Sequence, residues 1–299
     1  MGKKLKFYII KWFLFLFSFL PFSVLYVFSD GISFILSQII NYRRKTIIDN
    51  LLYSFPEKSE MERKEIARLF YSHLSDLLVE SIKMFSMNRK QIKNHFLSPL
   101  DQPDPDNKMK EALELIQNSQ GCIGMLGHYG NWEWASFVSS INFPEKENWI
   151  IYKTLADKDF DNLLNQVRSR FGAIMIEMKA VARKFVAKSG APYLAYFVSD
   201  QTPMELTSFH KITFLNQETL VYLGAEKIAC SKNIPVVYIE IQKLQRGFYT
   251  SSVEILTRNS SDYTPEEINL KFQRRLEKTI QEKPEYWLWS HKRWKYTRT

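Results

Sequence analysis

Cysteine is almost missing from this chain. Of 299 residues only Cys122 and Cys230 are cysteines, far apart and in apolar surroundings. They form no CxxC pair and no disulfide framework, which excludes a zinc ribbon, a thioredoxin-type centre and a cysteine-stapled secreted fold. Both read as small buried hydrophobes in a reducing compartment. Histidine is scarce too: His73, His95, His210 and His291 make no metal-spaced cluster, with each other or with His128, so no metal site is expected. There is no G-x-S-x-G elbow, no H-E-x-x-H, no Walker loop and no G-x-G-x-x-G. No internal repeat and no low-complexity segment occurs. Alanine is missing until Ala67, which leaves no A-x-A-like cleavage site near the N-terminus and argues against a removed signal peptide.

Apolar residues make 45 % of the chain and charged residues 24 %, a globular composition that excludes global disorder. Aromatic residues are abundant at 15 %, and ten of them fall between Phe7 and Phe28, where Lys11 is the only charge. As one helix these residues would span about 33 Å, close to the ~30 Å hydrocarbon core of a bilayer. We read a hydrophobic membrane anchor here. Pro21 and Asp30-Gly31 leave room for a kinked or re-entrant segment with both ends on the cytoplasmic side. The net charge of +9 is uneven: residues 1–45 carry seven Lys/Arg against one Asp, and residues 270–299 nine against three acids. Basic flanks beside an apolar segment suit an anionic membrane surface, and with no recognition motif a nucleic-acid binder is disfavoured.

The rest alternates between two periodicities. Residues 57–87, 107–118, 159–171, 180–189, 219–232 and 265–283 read as helices. The last is opened by Thr264 with Pro265 and Glu267 behind it. Residues 121–126, 149–152, 173–178, 192–198, 235–242 and 248–256 read as strands, and 99–107 as a Pro/Asp linker. This pattern predicts an α/β fold with a mixed, largely parallel sheet flanked by helices.

The glycines concentrate the chemistry. Positions 121, 124, 127 and 130 surround GMLGHYGNWEW. A strand ends near Leu126, a Gly-bounded turn follows, and a helix starts with Asn131 as its cap. Catalysis in open α/β sheets sits at this carboxyl end of a strand. His128 would stand there, with Glu133 in the first helical turn able to fold back and orient it as a general base. Backbone N–H groups at Gly127 and Gly130 could face a developing oxyanion. With no covalent nucleophile evident, direct transfer to an acceptor hydroxyl fits better than a ping-pong route.

His128-Tyr129-Gly130-Asn131-Trp132-Glu133 resembles the HxGNWE block of the bacterial lipid A secondary acyltransferases, the lauroyl/myristoyl acyltransferase family within the lysophospholipid and glycerol-phosphate acyltransferase superfamily. Further blocks follow in order. Ile151-Tyr152-Lys153 and the helix after it are similar to the family's Tyr-Arg-Pro block, Ser199-Asp200-Gln201 to its Asp-Gln block, and Phe214–Thr219 to its Phe-x-Gly segment. The ending PEYWLWSHKRWKY (284–296) is similar to its Trp/His/Arg-rich C-terminus. Lys153-Thr154 stand where Arg-Pro is usual, which keeps the charge and loses the bidentate fork, and Asn216 stands where Gly is usual.

The resemblance implies residues 1–45 as a membrane anchor and 46–299 as a glycerol-phosphate acyltransferase-like domain. It implies an O-acyltransferase in which His128, oriented by Glu133, deprotonates a hydroxyl of a lipid A precursor. No cofactor is implied: acyl-acyl carrier protein or acyl-CoA is the co-substrate. Asn131, Tyr152, Lys153, Asp200 and Gln201 are then expected to bind substrate, with Lys153 on a phosphate or carbonyl oxygen. The acidic acyl carrier protein would dock on Lys271, Arg274, Arg275 and Lys278. The expected location is the bacterial inner membrane, with the catalytic domain on the cytoplasmic face. Another envelope lipid as acceptor, an aminolipid or an aryl-polyene pigment, is the alternative; a non-catalytic membrane adaptor ranks below both.

Overall fold

Strand β1 (Gly121–Leu126) is apolar along its length and almost wholly buried, as a central parallel strand must be. It lies between β4 (Tyr193–Val198) and β7 (Val236–Gln245), both parallel to it. Beyond β4 run β2 (Glu147–Tyr152) and β3 (Ile174–Glu177), also parallel. Beyond β7 runs the antiparallel β8 (Phe248–Thr257), giving the order β3-β2-β4-β1-β7-β8. The sheet is therefore mixed and mostly parallel, as expected, with helices around it. The computed structural model describes residues 2–99, 102–187, 190–203 and 209–298. Parts of the expected linker (100–101) and of the expected helix at 180–189 (188–189) lie outside them.

Two apolar layers sandwich the sheet. One contains Ile123, Met125, Trp149 and Tyr238, with Phe70, Phe272 and the C-terminal tryptophans packed on them. The other contains Cys122, Leu126, Tyr196 and Ile239, with Trp134 and Phe137 above. Alternate residues of β1 thus feed opposite layers, as the strand's period of two requires.

The helices run α1 (Gly2–Ser18), α2 (Phe22–Phe34) with a π turn at Ile35–Ile39, α3 (Arg44–Ser54), α4 (Glu60–Lys83) and α5 (Arg89–His95). Then follow α6 (Lys108–Asn118), α7 (Ala135–Asn142), α8 (Lys158–Arg168), α9 (Val181–Ala187), α10 (Gly224–Lys232) and α11 (Pro265–Glu282). The cap expected for α11 forms: Thr264 and Glu267 exchange bonds in a capping box. Ser59 and Glu62 do the same for α4.

Two expectations are corrected. The apolar N-terminal segment is not one helix. Pro21 has no N–H to continue a helix, and the chain breaks there into α1 and α2. The carbonyls left open by the break are satisfied from α4 and the residues after it. Lys83 Nζ donates to Ser18 O (2.9 Å) and Leu20 O (2.8 Å), and Ser86 Oγ to Ser18 O (2.6 Å). Second, residues 219–223 are not helical. A hairpin of β5 (His210–Phe214) and β6 (Gln217–Val221) precedes α10. Its turn holds Leu215 and Asn216 at φ of +48° and +62°. Asparagine tolerates that left-handed conformation, which explains how Asn216 serves in place of glycine.

After β1 the chain turns sharply through Gly127–Gly130. Gly130 has φ +58°, and a Cβ on it would collide with the Ile241 carbonyl of β7. Gly130→Ala is therefore expected to combine a left-handed penalty of about 1–2 kcal/mol with a backbone clash. Urea unfolding should show a destabilisation above that range; an unchanged midpoint would mean the turn relaxes freely.

Candidate active site

The register of the sheet brings the site together. Leu126 at the end of β1 pairs with Val198 at the end of β4. Two residues further along each strand stand His128 and Asp200. The His128 Nδ1 to Asp200 Oδ1 distance is 2.5 Å, and the His128 backbone N–H donates to Asp200 Oδ2 at 2.9 Å. Trp287 Nε1 also donates to Oδ2, at 2.7 Å. Gly127 gives Leu276 of α11 its room, since a Cβ there would come within 2.7 Å of that side chain. Asp200 is 2 % exposed. Burial alone would raise its pKa, but the His128 imidazole and these hydrogen bonds lower it to about 2.

An ionised Asp200 can only accept. His128 Nδ1 must therefore carry the proton, which leaves the Nε2 lone pair on the open side of the ring. The Gln201 amide lies there, its Nε2 3.1 Å from His128 Nε2. The Trp132 ring sits edge-on to the imidazole at 5.2 Å between centroids. The arrangement is an oriented base with one accessible nitrogen. Among the described residues no group of His, Cys, Asp or Glu is placed to hold a metal ion.

Glu133 does not orient His128. Its short 3-10 turn (Trp132–Trp134) points the carboxylate the other way, onto Arg168 at the end of α8. Arg168 Nε and NH2 grip both oxygens at 2.8–2.9 Å. The fork geometry of guanidinium on carboxylate fixes this pair, and the turn from Tyr129 to Asn131 separates it from the imidazole. Asn131 is an N-cap as expected, its Oδ1 accepting from Trp134 N at 3.2 Å. It is 1 % exposed, and its Nδ2 donates to Glu80 of α4. A side chain occupied at both ends has nothing to offer a substrate directly.

Tyr152 ends β2 and Lys153 follows it, one strand beyond β4 on the same carboxyl edge. Lys153 is exposed there. The Tyr152 phenol leans on α8, where burial and Asp161 raise its pKa. Of the expected oxyanion donors, the Gly130 N–H is taken by Tyr286 O; the His128 N–H between the two glycines is taken by Asp200.

Three contributors escape sequence reading: Arg168, Trp287 and His291. The C-terminal segment folds under the turn, with Trp287, Trp289 and Trp294 buried. Leu288 N–H donates to His128 O, so the segment is tied to the turn by its backbone as well. His291 Nε2 accepts from the Thr202 N–H at 3.2 Å and pins the loop after Asp200. Burial lowers the His291 pKa to about 4, so it is neutral at neutral pH. Tryptophans in an ending like this signal packing; that one of them would donate to Asp200 needs the fold.

The family model for bacterial lipid A biosynthesis acyltransferases matches residues 3–296, nearly the whole chain. The chain belongs to that family. It is an acyltransferase of lipid A biosynthesis, from a family of bacterial, membrane-associated proteins. No individual curated protein matches it. The helical stretch Phe22–Ile39 is long and apolar enough to cross a membrane.

Asp200→Asn in the acyltransferase is expected to lower kcat by about 10³–10⁴, because an amide no longer fixes the Nδ1–H form of His128. Trp287→Phe removes one donor and should cost roughly tenfold. The Asp200 pKa is depressed on folding, so its contribution to stability is present above pH ~4 and fades as pH falls through about 2. Acid unfolding of the wild type should carry that component, about 2 kcal/mol, and Asp200→Asn should lack it. Equal acid sensitivity of the two proteins would contradict the assignment.

Proposed function

We propose that this acyltransferase moves a fatty acyl group from acyl-acyl carrier protein or acyl-CoA to a hydroxyl of a lipid A precursor, with His128 as general base and no covalent intermediate. The observation that carries the reading is the direction of the imidazole: Asp200 takes Nδ1, and Nε2 is left for the acceptor. The acceptor hydroxyl displaces the Gln201 amide and gives its proton to Nε2. Its oxygen attacks the thioester carbonyl. The C–S bond breaks, and the thiolate recovers the proton from the imidazolium. Base catalysis of this kind is typically worth about 10²–10⁴-fold.

Two cations, Lys153 just after β2 and Arg168 at the end of α8, suit the charges involved. Arg168 is already aligned by Glu133, with NH1 outside that fork, and serves a developing oxyanion or a phosphate better than a lone lysine does. Lys153 then contacts the acceptor headgroup. In this reading Glu133 acts through Arg168 and not through His128.

The outer faces of α1 and α2 support a seat in the membrane. Leu5, Ile9, Trp12, Phe13 and Leu16 of α1, and Val27, Phe28 and Phe34 of α2, are all exposed. The basic residues Lys4, Lys6, Arg44 and Lys45 flank them and suit the anionic cytoplasmic face of the bacterial inner membrane. In α2 the residues Leu25 and Ser29 are buried against the body, so we place both helices in one leaflet. The expected carrier-protein face on α11 is weaker. Arg275 pairs with Glu240 and Glu254, Arg274 with Glu277, and Lys271 reaches Leu256 O, so three of its four charges are used internally.

The test is mass spectrometry of lipid A from a strain lacking the gene, complemented with wild type or with His128→Ala. Loss of one acyl chain, restored by wild type alone, is the expected result, and the missing mass gives the chain length. Unchanged lipid A would reject this acceptor and point to another envelope lipid. Equal rescue by His128→Ala would overturn the mechanism.

A further inference from the structure

The residues directly after His128 are wired to the apolar N-terminal helix. Glu80 of α4 is fully buried and takes three donors. Tyr26 of α2 donates to Oε1 at 2.8 Å, while Tyr249 of β8 (2.8 Å) and Asn131 of the catalytic turn (2.7 Å) donate to Oε2. The Trp134 indole N–H reaches the Glu80 backbone carbonyl as well. A second thread runs alongside. Asp30 of α2 pairs with Arg246, and Arg246 with Asp76 of α4. Ser29 of α2 also donates to Asp76, at 2.7 Å. Asp76 holds Lys243 at 3.0 Å, Lys243 lies 3.4 Å from His73 Nδ1, and His73 Nε2 is 3.2 Å from Gly130 O. Lys243 is buried and can only donate, so His73 accepts at Nδ1 and donates from Nε2 to the Gly130 carbonyl.

Both threads begin on one face of α2 and end on consecutive residues, Gly130 and Asn131. A membrane anchor alone needs no such face. Phe22, Leu25, Tyr26 and Ser29 recur at the 3–4 spacing that turns a helix towards a partner, and Tyr26 and Ser29 put polar groups on that face. Buried polar groups must be satisfied, and here α2 and the catalytic turn both donate to Glu80, while Asp76 takes Ser29 of α2 directly and reaches the turn through Lys243 and His73.

We infer that α2 is part of the active-site scaffold, and that Glu80 is a positioning residue which holds the His128 turn in register through Asn131 once Tyr26 has docked. In this role the segment that meets the lipid surface also sets the geometry of the base. Burial raises the Glu80 pKa to about 7, against the pull of Lys243 and the phenol donors, so a neutral side chain of the same shape fits the site.

The inference rests on the acyltransferase reading only for its kinetic arm. Full-length protein in mixed micelles is assayed with acyl-acyl carrier protein and a lipid A precursor, as wild type, Tyr26→Phe, Glu80→Ala and Glu80→Gln. Vesicle binding and hydrogen exchange of residues 127–134 are measured on the same samples. Tyr26→Phe should lower kcat by about tenfold with KM and vesicle binding unchanged, since a small misplacement of the base is costly. Glu80→Ala should lose about 100-fold, and Glu80→Gln, which keeps an acceptor for Asn131, should recover most of that loss. Exchange at 127–134 should quicken in Tyr26→Phe and Glu80→Ala but not in Glu80→Gln. Wild-type kcat and exchange in Tyr26→Phe would overturn the inference, as would a loss that appears only as weaker vesicle binding. If even the wild type fails on this acceptor, the exchange data still decide the coupling, and only the substrate reading falls.

Discussion

A buried carboxylate that accepts from three donors is the constraint around which this protein is arranged. Asp200 lies two residues past the end of one strand and His128 two past the end of its neighbour, so sheet register alone brings them level. Out of water, the carboxylate is tolerable only because the imidazole N–H, the His128 amide and the Trp287 indole all point at it. Each donor comes with its own requirement. The amide needs the tight turn that Gly130 permits. The indole needs the C-terminal segment folded under the site, with Trp289 and Trp294 buried beside it.

The base and the cation are built on separate elements. His128 belongs to Asp200, whereas Glu133 belongs to Arg168, so the second ion pair does not consume the imidazole. The acidic residue of the HxGNWE block therefore does its work on a guanidinium, and the acid that matters to the histidine comes from the Asp-Gln block 72 positions later.

Much of this was legible in the sequence. The strand at 121–126 is as read, the cap of α11 is as read, and Asn131 caps the helical turn after the site. His128 stands where the carboxyl end of β1 places it. The failures have separate causes. The His128–Glu133 pairing was inferred from nearness along the chain, but β1's spatial neighbour is β4, with two strands and three helices between them in sequence. Nothing local in Ser199-Asp200-Gln201 announces that neighbour. The hairpin at 210–221 was hidden because its turn uses Leu215 and Asn216 in place of glycine. The break at Pro21 was visible, but not its consequence: whether an apolar helix crosses a membrane or docks on its own domain depends on what meets Tyr26 and Ser29.

The central claim, an Nδ1-protonated His128 held by Asp200 with Nε2 open, is most directly tested by nitrogen-15 NMR of histidine-labelled full-length protein. The account predicts a protected, strongly downfield Nδ1 proton on His128, kept in Glu133→Gln and lost in Asp200→Asn. An Nε2-protonated ring, or a proton lost in Glu133→Gln and kept in Asp200→Asn, would contradict it.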